Sequence, residues 1–226
     1  ATKQWTKNWI KMVDWGNGIQ RSHHSARDPD AHYVYVRLEE LDGSKADAFK
    51  VRVDCNAGSN LADLRLLNVC ISNMLKFEHE KLTVLDGLKS VELRHVPKIS
   101  QFELGHDKQD SMCSTSSLTM LLGYLLRKNM DPLDVAENSF DNGLSAYGSW
   151  PFNTAHAFEK CYNNHFHVQR LPSFRDLYGY LSRGLPVIVS IRGAIKTAPQ
   201  EYPNGHLILV CGLNAKKKRV VCHDPA

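Results

Sequence analysis

The sequence predicts an α+β protein in two parts, and three observations predict it. Residues 1–94 carry short alternating apolar and polar runs separated by turn residues. From residue 95 the apolar residues first repeat at helical spacing, and the last forty or so residues then form strand-like runs. Helices followed by a sheet make an α+β arrangement, and 226 residues leave room for one large or two small domains.

In the first part, Trp5, Trp9 and Trp15 crowd the start, and Gly16-Asn-Gly18 reads as a turn. His32–Leu38 is β-branched and aromatic, and Leu41–Ser44 breaks it. Phe49–Cys55 alternates cleanly, which marks a strand with one buried face. Asn56–Asn60 is a loop, and Leu64–Ile71 is a further strand-like run. Several short strands with turns between them predict a β-sandwich accessory domain over residues 1–94. His23 and His24 lie in the polar loop Ser22–Asp30 and read as exposed loop residues, since further metal ligands are lacking there. The tryptophans would suit a sugar or a cell-wall polymer, but a spacer packed on the second domain is the plainer reading. Residues 77–94, with Glu78, Glu80, Lys81, Lys89, Glu92 and Arg94, read as a charged connector or an edge segment.

In the second part, residues 95–226, Val96–Gln101 opens the domain and a polar loop runs to Ser111. Leu118, Leu121, Leu122 and Leu125 then make one helical stripe, and the short polar residues ahead of Cys113 suit a cap. Asp131-Pro132 is a cap followed by proline at the first helical position. Residues 143–151 read as loop, Asn153–Tyr162 as a helix with Ala155, Phe158 and Tyr162 on one face, and Phe166–Arg170 as a short strand. Ser173–Asp176 is a capping box heading a helix whose face is Phe174, Leu177, Tyr178 and Leu181. Gly184 and Pro186 stop it. Three strands follow at 186–191, 206–211 and 219–222, the last two joined by the turn Lys216–Arg219 and expected to pair antiparallel.

Composition excludes several classes. At 42% hydrophobic and 23% charged residues, the chain reads as an ordinary globular protein. No apolar run approaches the ~20 residues that cross a bilayer, so no membrane span is expected. The +4 charge is scattered, and its one basic run lies between two apolar stretches, so it reads as a solvated turn rather than a nucleic-acid patch. The six cysteines form no C-x-x-C pair and no zinc spacing with histidine, so neither a metal nor a cofactor is expected. Cys55, Cys70, Cys211 and Cys222 read as small thiols in strand-like runs, with a Cys55–Cys70 disulfide left open. A start at Ala1 suggests a processed or trimmed chain, and an end just after Asp224-Pro225 suggests a further C-terminal segment.

The chemistry centres on Cys113. A thiol at a helix N-terminus meets the positive end of the macrodipole, which favours the nucleophilic thiolate. His206 opens a strand directly after Gly205, and Asp224 lies just past the next strand, so a hairpin brings the two together. The set has the logic of nucleophile, base and orienting carboxylate. Each residue alone also fits a plainer role: a small buried thiol, a hydrogen-bonded strand end, a turn.

At the level of blocks, residues 96–226 resemble the C39-like cysteine peptidases, a branch of the papain-like superfamily. Val96-Pro-Lys-Ile-Ser-Gln101 resembles that family's opening V-P-x-x-S-Q, and Cys113-Ser-Thr-Ser-Ser-Leu118 its C-G-P-A-S-L. Tyr147–Phe152, Gly184–Ile191, Gly205–Gly212 and His223-Asp-Pro225 match its other blocks. Residues 9–15 and 59–72 are similar to the β-rich segment that precedes the peptidase domain in some bacterial members. The resemblance implies a papain-like fold with Cys113 as nucleophile, His206 as general base and Asp224 as orienter. It implies Gln101 as the oxyanion donor beside the Cys113 backbone N–H, with Gln109 as rival, and a cleft lined by Trp150, Ser114 and Gln109. Where the family has Gly-Pro after the nucleophile, this chain has Ser114-Thr115, read as a change of specificity. The expected activity is hydrolysis of a peptide or amide bond in a peptide or protein substrate, cell-wall material included, by a protein exported from a bacterial cell. Acyl transfer by the same triad, and an inactive polymer-binding protein, are the rivals.

Overall fold

A four-stranded antiparallel sheet supports the second part of the chain. In the computed structural model, residues 5, 8–16, 18–23, 31–34, 37–40, 47–73, 76, 78 and 85–226 are described. The sheet is built on one long strand, β7 (Tyr202–Asn214). Strand β6 (Val187–Gly193) pairs along its first half, while β5 (Val91–Glu92) and β8 (Arg219–His223) flank its second half. The hairpin expected between the last two runs is present: Lys217 N–H donates to Asn214 Oδ1 at 2.9 Å to close the lysine-rich turn.

Strand β7 is buried on both faces, and its alternation sorts two cores. Leu209 and Cys211 join Val96, Leu118, Leu121, Leu122 and Val135. Val210 and Leu213 join Leu177, Leu181 and Leu85 on the other side. The first core belongs to helix α1 (Cys113–Leu126), the second to α4 (Phe174–Leu181). Each fully buried leucine contributes about 1.5–3 kcal/mol. Because Leu85 and β5 pack with this sheet, residues 85–94 sit with the second part, as the edge-segment alternative expects rather than the connector.

Helix α2 (Pro132–Asn138) starts as the sequence predicts, with Asp131 accepting from Leu133 N–H at 2.9 Å. Ser173 caps α4 in the same way, accepting from Asp176 N–H at 3.0 Å, and its hydroxyl also meets the Asp176 carboxylate. Helix α3 (Trp150–Lys160) begins earlier than expected because Pro151 sits comfortably in a first turn. Its buried face is Phe152, Asn153, His156 and Ala157, whereas Tyr162 is exposed. Phe166–Arg170 pairs with no strand.

The first part does not form a β-sandwich among the described residues. It contains two hairpins: β1 (Val13–Asp14) with β2 (Arg21–Ser22), and β3 (Ala31–Val34) with β4 (Arg37–Glu40). Residues 48–55 and 64–72 form no strand, and Phe49, Val51, Val53 and Ile71 are exposed. Cys55 and Cys70 are exposed free thiols, as is Cys222; only Cys211 of the four is buried. His23 is half-buried and pairs with Asp14 at 2.7 Å. Asn17, His24, Tyr35, Val36, residues 41–46, Glu80 and Lys81 lie outside the described residues.

The β1–β2 hairpin is a strap on the second part. Trp15 stacks on Phe152 of α3 with centroids 5.5 Å apart. Ser22 donates from its N–H and its hydroxyl to the fully buried Asp141, at 2.9 and 2.5 Å. Burial alone would raise the Asp141 carboxyl, but the donors from Ser22 and the Gly143 N–H outweigh it and hold it below its usual range. A Cβ on Gly143 would lie 1.9 Å from the Ser22 carbonyl oxygen, so only glycine lets the strap sit here.

Gly143→Ala should therefore displace the strap, destabilise the chain by about 1–3 kcal/mol and speed tryptic cleavage after Arg21; unchanged cleavage would contradict the contact. His156 yields a second expectation. It is fully buried, with no ring-nitrogen partner among the described residues. Burial lowers its pKa, Lys160 adds to this and Asp134 opposes it. The unfolded state, with an imidazole near the ordinary value of about 6.5, thus binds the proton more readily. Its contribution to stability is complete above that value and is lost as the pH falls below it. Urea midpoints at pH 7.5 and 5.5 should show this loss, and His156→Leu should reduce it.

Candidate active site

Helix α1 presents Cys113 as its first residue. The capping expectation is corrected here: Met112 occupies the cap position, and no side chain caps the helix. The backbone N–H groups of Leu207, Ser114 and Cys113 favour the thiolate. Burial nevertheless dominates and pushes the thiol above its ordinary value, with Asp224 adding to the rise. The helix terminus alone therefore does not bring the thiol below its ordinary value.

Helix and strand can approach this closely because the first turns of α1 carry short side chains. Ser117 donates to the Leu207 carbonyl at 3.1 Å, Thr115 to the Met112 carbonyl at 3.2 Å and Thr119 to the Thr115 carbonyl at 2.7 Å. All three are buried with their hydroxyls satisfied.

His206 and Asp224 are brought together as the hairpin predicts. Their Nε2 and Oδ1 atoms are 2.6 Å apart, and His206 is buried. The carboxylate fixes the tautomer with hydrogen on Nε2, so Nδ1 remains as the basic nitrogen. The neighbouring Leu207 carbonyl accepts from Ser117, which holds α1, the helix that Cys113 begins, against β7 next to the imidazole.

Gln101 is buried in the turn Gln101–Glu103, its N–H donating to the Pro225 carbonyl at 2.7 Å. Its Nε2 donates to the Asp110 carbonyl at 3.0 Å, which sets the amide against the turn entering α1. The opening block is tied to the closing one again where the His223 ring meets the Pro97 carbonyl at 2.8 Å. Gln109 is half-buried in the turn Gln109–Ser111 just before Cys113. Trp150 is half-buried in the first turn of α3. Ser114 is not a cleft side chain: it is buried, and its hydroxyl accepts from Asn153 of α3 at 2.5 Å.

The sequence reading missed Tyr202. Its ring stacks on the His206 ring, centroids 4.0 Å apart and planes 10° from parallel. Its hydroxyl donates to Asp224 Oδ2 at 2.6 Å. Burial raises the phenol's pKa, and the Asp224 carboxylate raises it further, so it remains a donor. The available signal was Pro203-Asn-Gly205 just ahead of His206, residue types that favour a bulge over a regular strand. No group of three or more His, Cys, Asp or Glu among the described residues could hold a metal ion, and no described helix is long and apolar enough to cross a membrane.

The sequence profile of the Peptidase_C39 like family matches residues 93–226, from the end of β5 to Ala226. The chain belongs to that family. Membership puts this C39-like domain in the cysteine peptidase class, with a peptide or protein as the kind of substrate. No curated protein and no solved structure matches the chain.

The C39-like site depends on Gly205, whose φ of +95° few other residues adopt. Gly205→Ala should cost about 1–3 kcal/mol, read as a lower urea midpoint, and should loosen His206; an unchanged midpoint would remove the glycine from this account.

Proposed function

We propose that the chain hydrolyses peptide or amide bonds through a Cys113–His206–Asp224 triad. The observation that carries the reading is the 2.6 Å His206–Asp224 bond on a strand whose next residue, Leu207, is held by Ser117 of the helix that Cys113 begins. Nδ1 of His206 takes the Cys113 proton, and the sulfur attacks the substrate carbonyl carbon. The oxyanion is held by the Cys113 backbone N–H and by the Gln101 amide hydrogen not used on Asp110. Collapse breaks the C–N bond, and the imidazolium gives its proton to the leaving amine. Water, deprotonated by the same nitrogen, then cleaves the thioester to release the acid and restore the thiol. Asp224 holds the ring and stabilises the imidazolium throughout. Trp150, on the first turn of α3, is assigned to the cleft wall.

Cys113→Ala should lower cleavage of a mixed peptide library by about 10⁴-fold or more while the circular dichroism spectrum is unchanged. New N-termini found at the wild-type rate would sink the mechanism. Alkylation of Cys113 by iodoacetamide tests the pair without a substrate. Because burial raises the isolated thiol, the wild-type profile should begin at lower pH than that of His206→Ala, and coincident profiles would reject His206 as the base.

A further inference from the structure

We infer that Tyr202 is a positioning residue that locks the imidazole of His206 and the carboxylate of Asp224 into one geometry. The inference rests on the triad reading above. Its basis is a closed set of three contacts. The phenol ring lies flat on the imidazole at 4.0 Å, the imidazole Nε2 holds one carboxylate oxygen at 2.6 Å, and the phenol hydroxyl holds the other at 2.6 Å.

The backbone makes this closure possible. In a regular strand, residues four apart stand about 13 Å from one another, and Tyr202 could not touch His206. Here Ile191 of β6 pairs with His206 while Gly193 pairs with Tyr202, so β7 spends more residues than β6 over the same distance. Pro203-Asn-Gly205 oppose Arg192 alone, an excess of two residues that makes a bulge, with Gly205 at φ +95°. The bulge folds the phenol back over the ring that follows it, one of the uses bulges have beside active sites.

Each contact restricts a motion the triad must avoid. Stacking covers one face of the imidazole and keeps water from the Nε2–Oδ1 bond. The hydroxyl fixes the carboxylate against rotation, so Oδ1 stays in line with Nε2. It also draws charge towards Oδ2, which tempers the pull of Oδ1 on the imidazole proton. Simple core filling would need the ring but not the hydroxyl, and that difference is testable.

The readout is the downfield proton resonance of the His206 Nε2–H in the full chain, followed by NMR in wild type, Tyr202→Phe and Tyr202→Ala. With phenylalanine the ring cover remains and the resonance should persist but shift further downfield, as Asp224 turns its unshared charge on the imidazole. With alanine the bond is open to water and the resonance should be lost to exchange. An unmoved resonance in Tyr202→Phe, or one that survives in Tyr202→Ala, would overturn the inference. The iodoacetamide profiles of wild type and His206→Ala separate this failure from that of the triad. If those two differ and the resonance ignores Tyr202, only the role of Tyr202 falls; if they coincide, the triad itself falls.

Discussion

The first turn of α1 has to lie against β7 at Leu207, and most of the domain follows from that contact. Serine and threonine are indifferent helix formers, because their hydroxyls compete for the backbone. The chain nevertheless puts Ser114, Thr115, Ser116, Ser117 and Thr119 in succession on its most buried helix. Their small volume lets a helix axis approach a strand closely enough for the Ser117 hydroxyl to reach the Leu207 carbonyl at 3.1 Å. Gly123 repeats the theme one end further on, where a Cβ would meet the Pro97 ring at 3.0 Å. Helix propensity is given up along α1 for proximity.

The same contact explains why short sequence blocks far apart in the chain belong together. Pro97 and Gln101 of the opening block bond to His223 and to Pro225 of the closing one. Gln101 also holds the turn before Cys113. Asp224 lies between two tied residues, and its Oδ1 receives a further bond from Ala226 N–H at 3.0 Å. The carboxylate is thus placed by backbone anchors on both sides rather than by its own short side chain.

This locality decides what was legible. Cys113, His206 and Asp224 could be read because a helix start and a two-strand hairpin are local features, and the caps Asp131 and Ser173 are more local still. Tyr202 could not, since period-two reasoning separates it from His206 and only the bulge reunites them. The buried face of α3 was misjudged because it includes Asn153 and His156, polar residues that an apolar pattern discounts. Phe49–Cys55 alternates as a half-buried strand should, but alternation only describes what a strand offers; it needs a neighbour, and none of the described residues pairs with it.

The strap changes what counts as the unit. Residues 93–226 are the span the family profile recognises, yet Asp141 inside that span receives two of its hydrogen bonds from Ser22 outside it. Phe152 is likewise covered by Trp15. A version cut back to the recognisable span would carry a carboxylate shaped for an absent donor and a bare aromatic face beside the nucleophile's helix. The packed unit in this chain is therefore longer than the stretch the family profile matches. With the strap removed, the Ser22 carbonyl that excludes a Cβ at position 143 is gone, and the demand for glycine there goes with it.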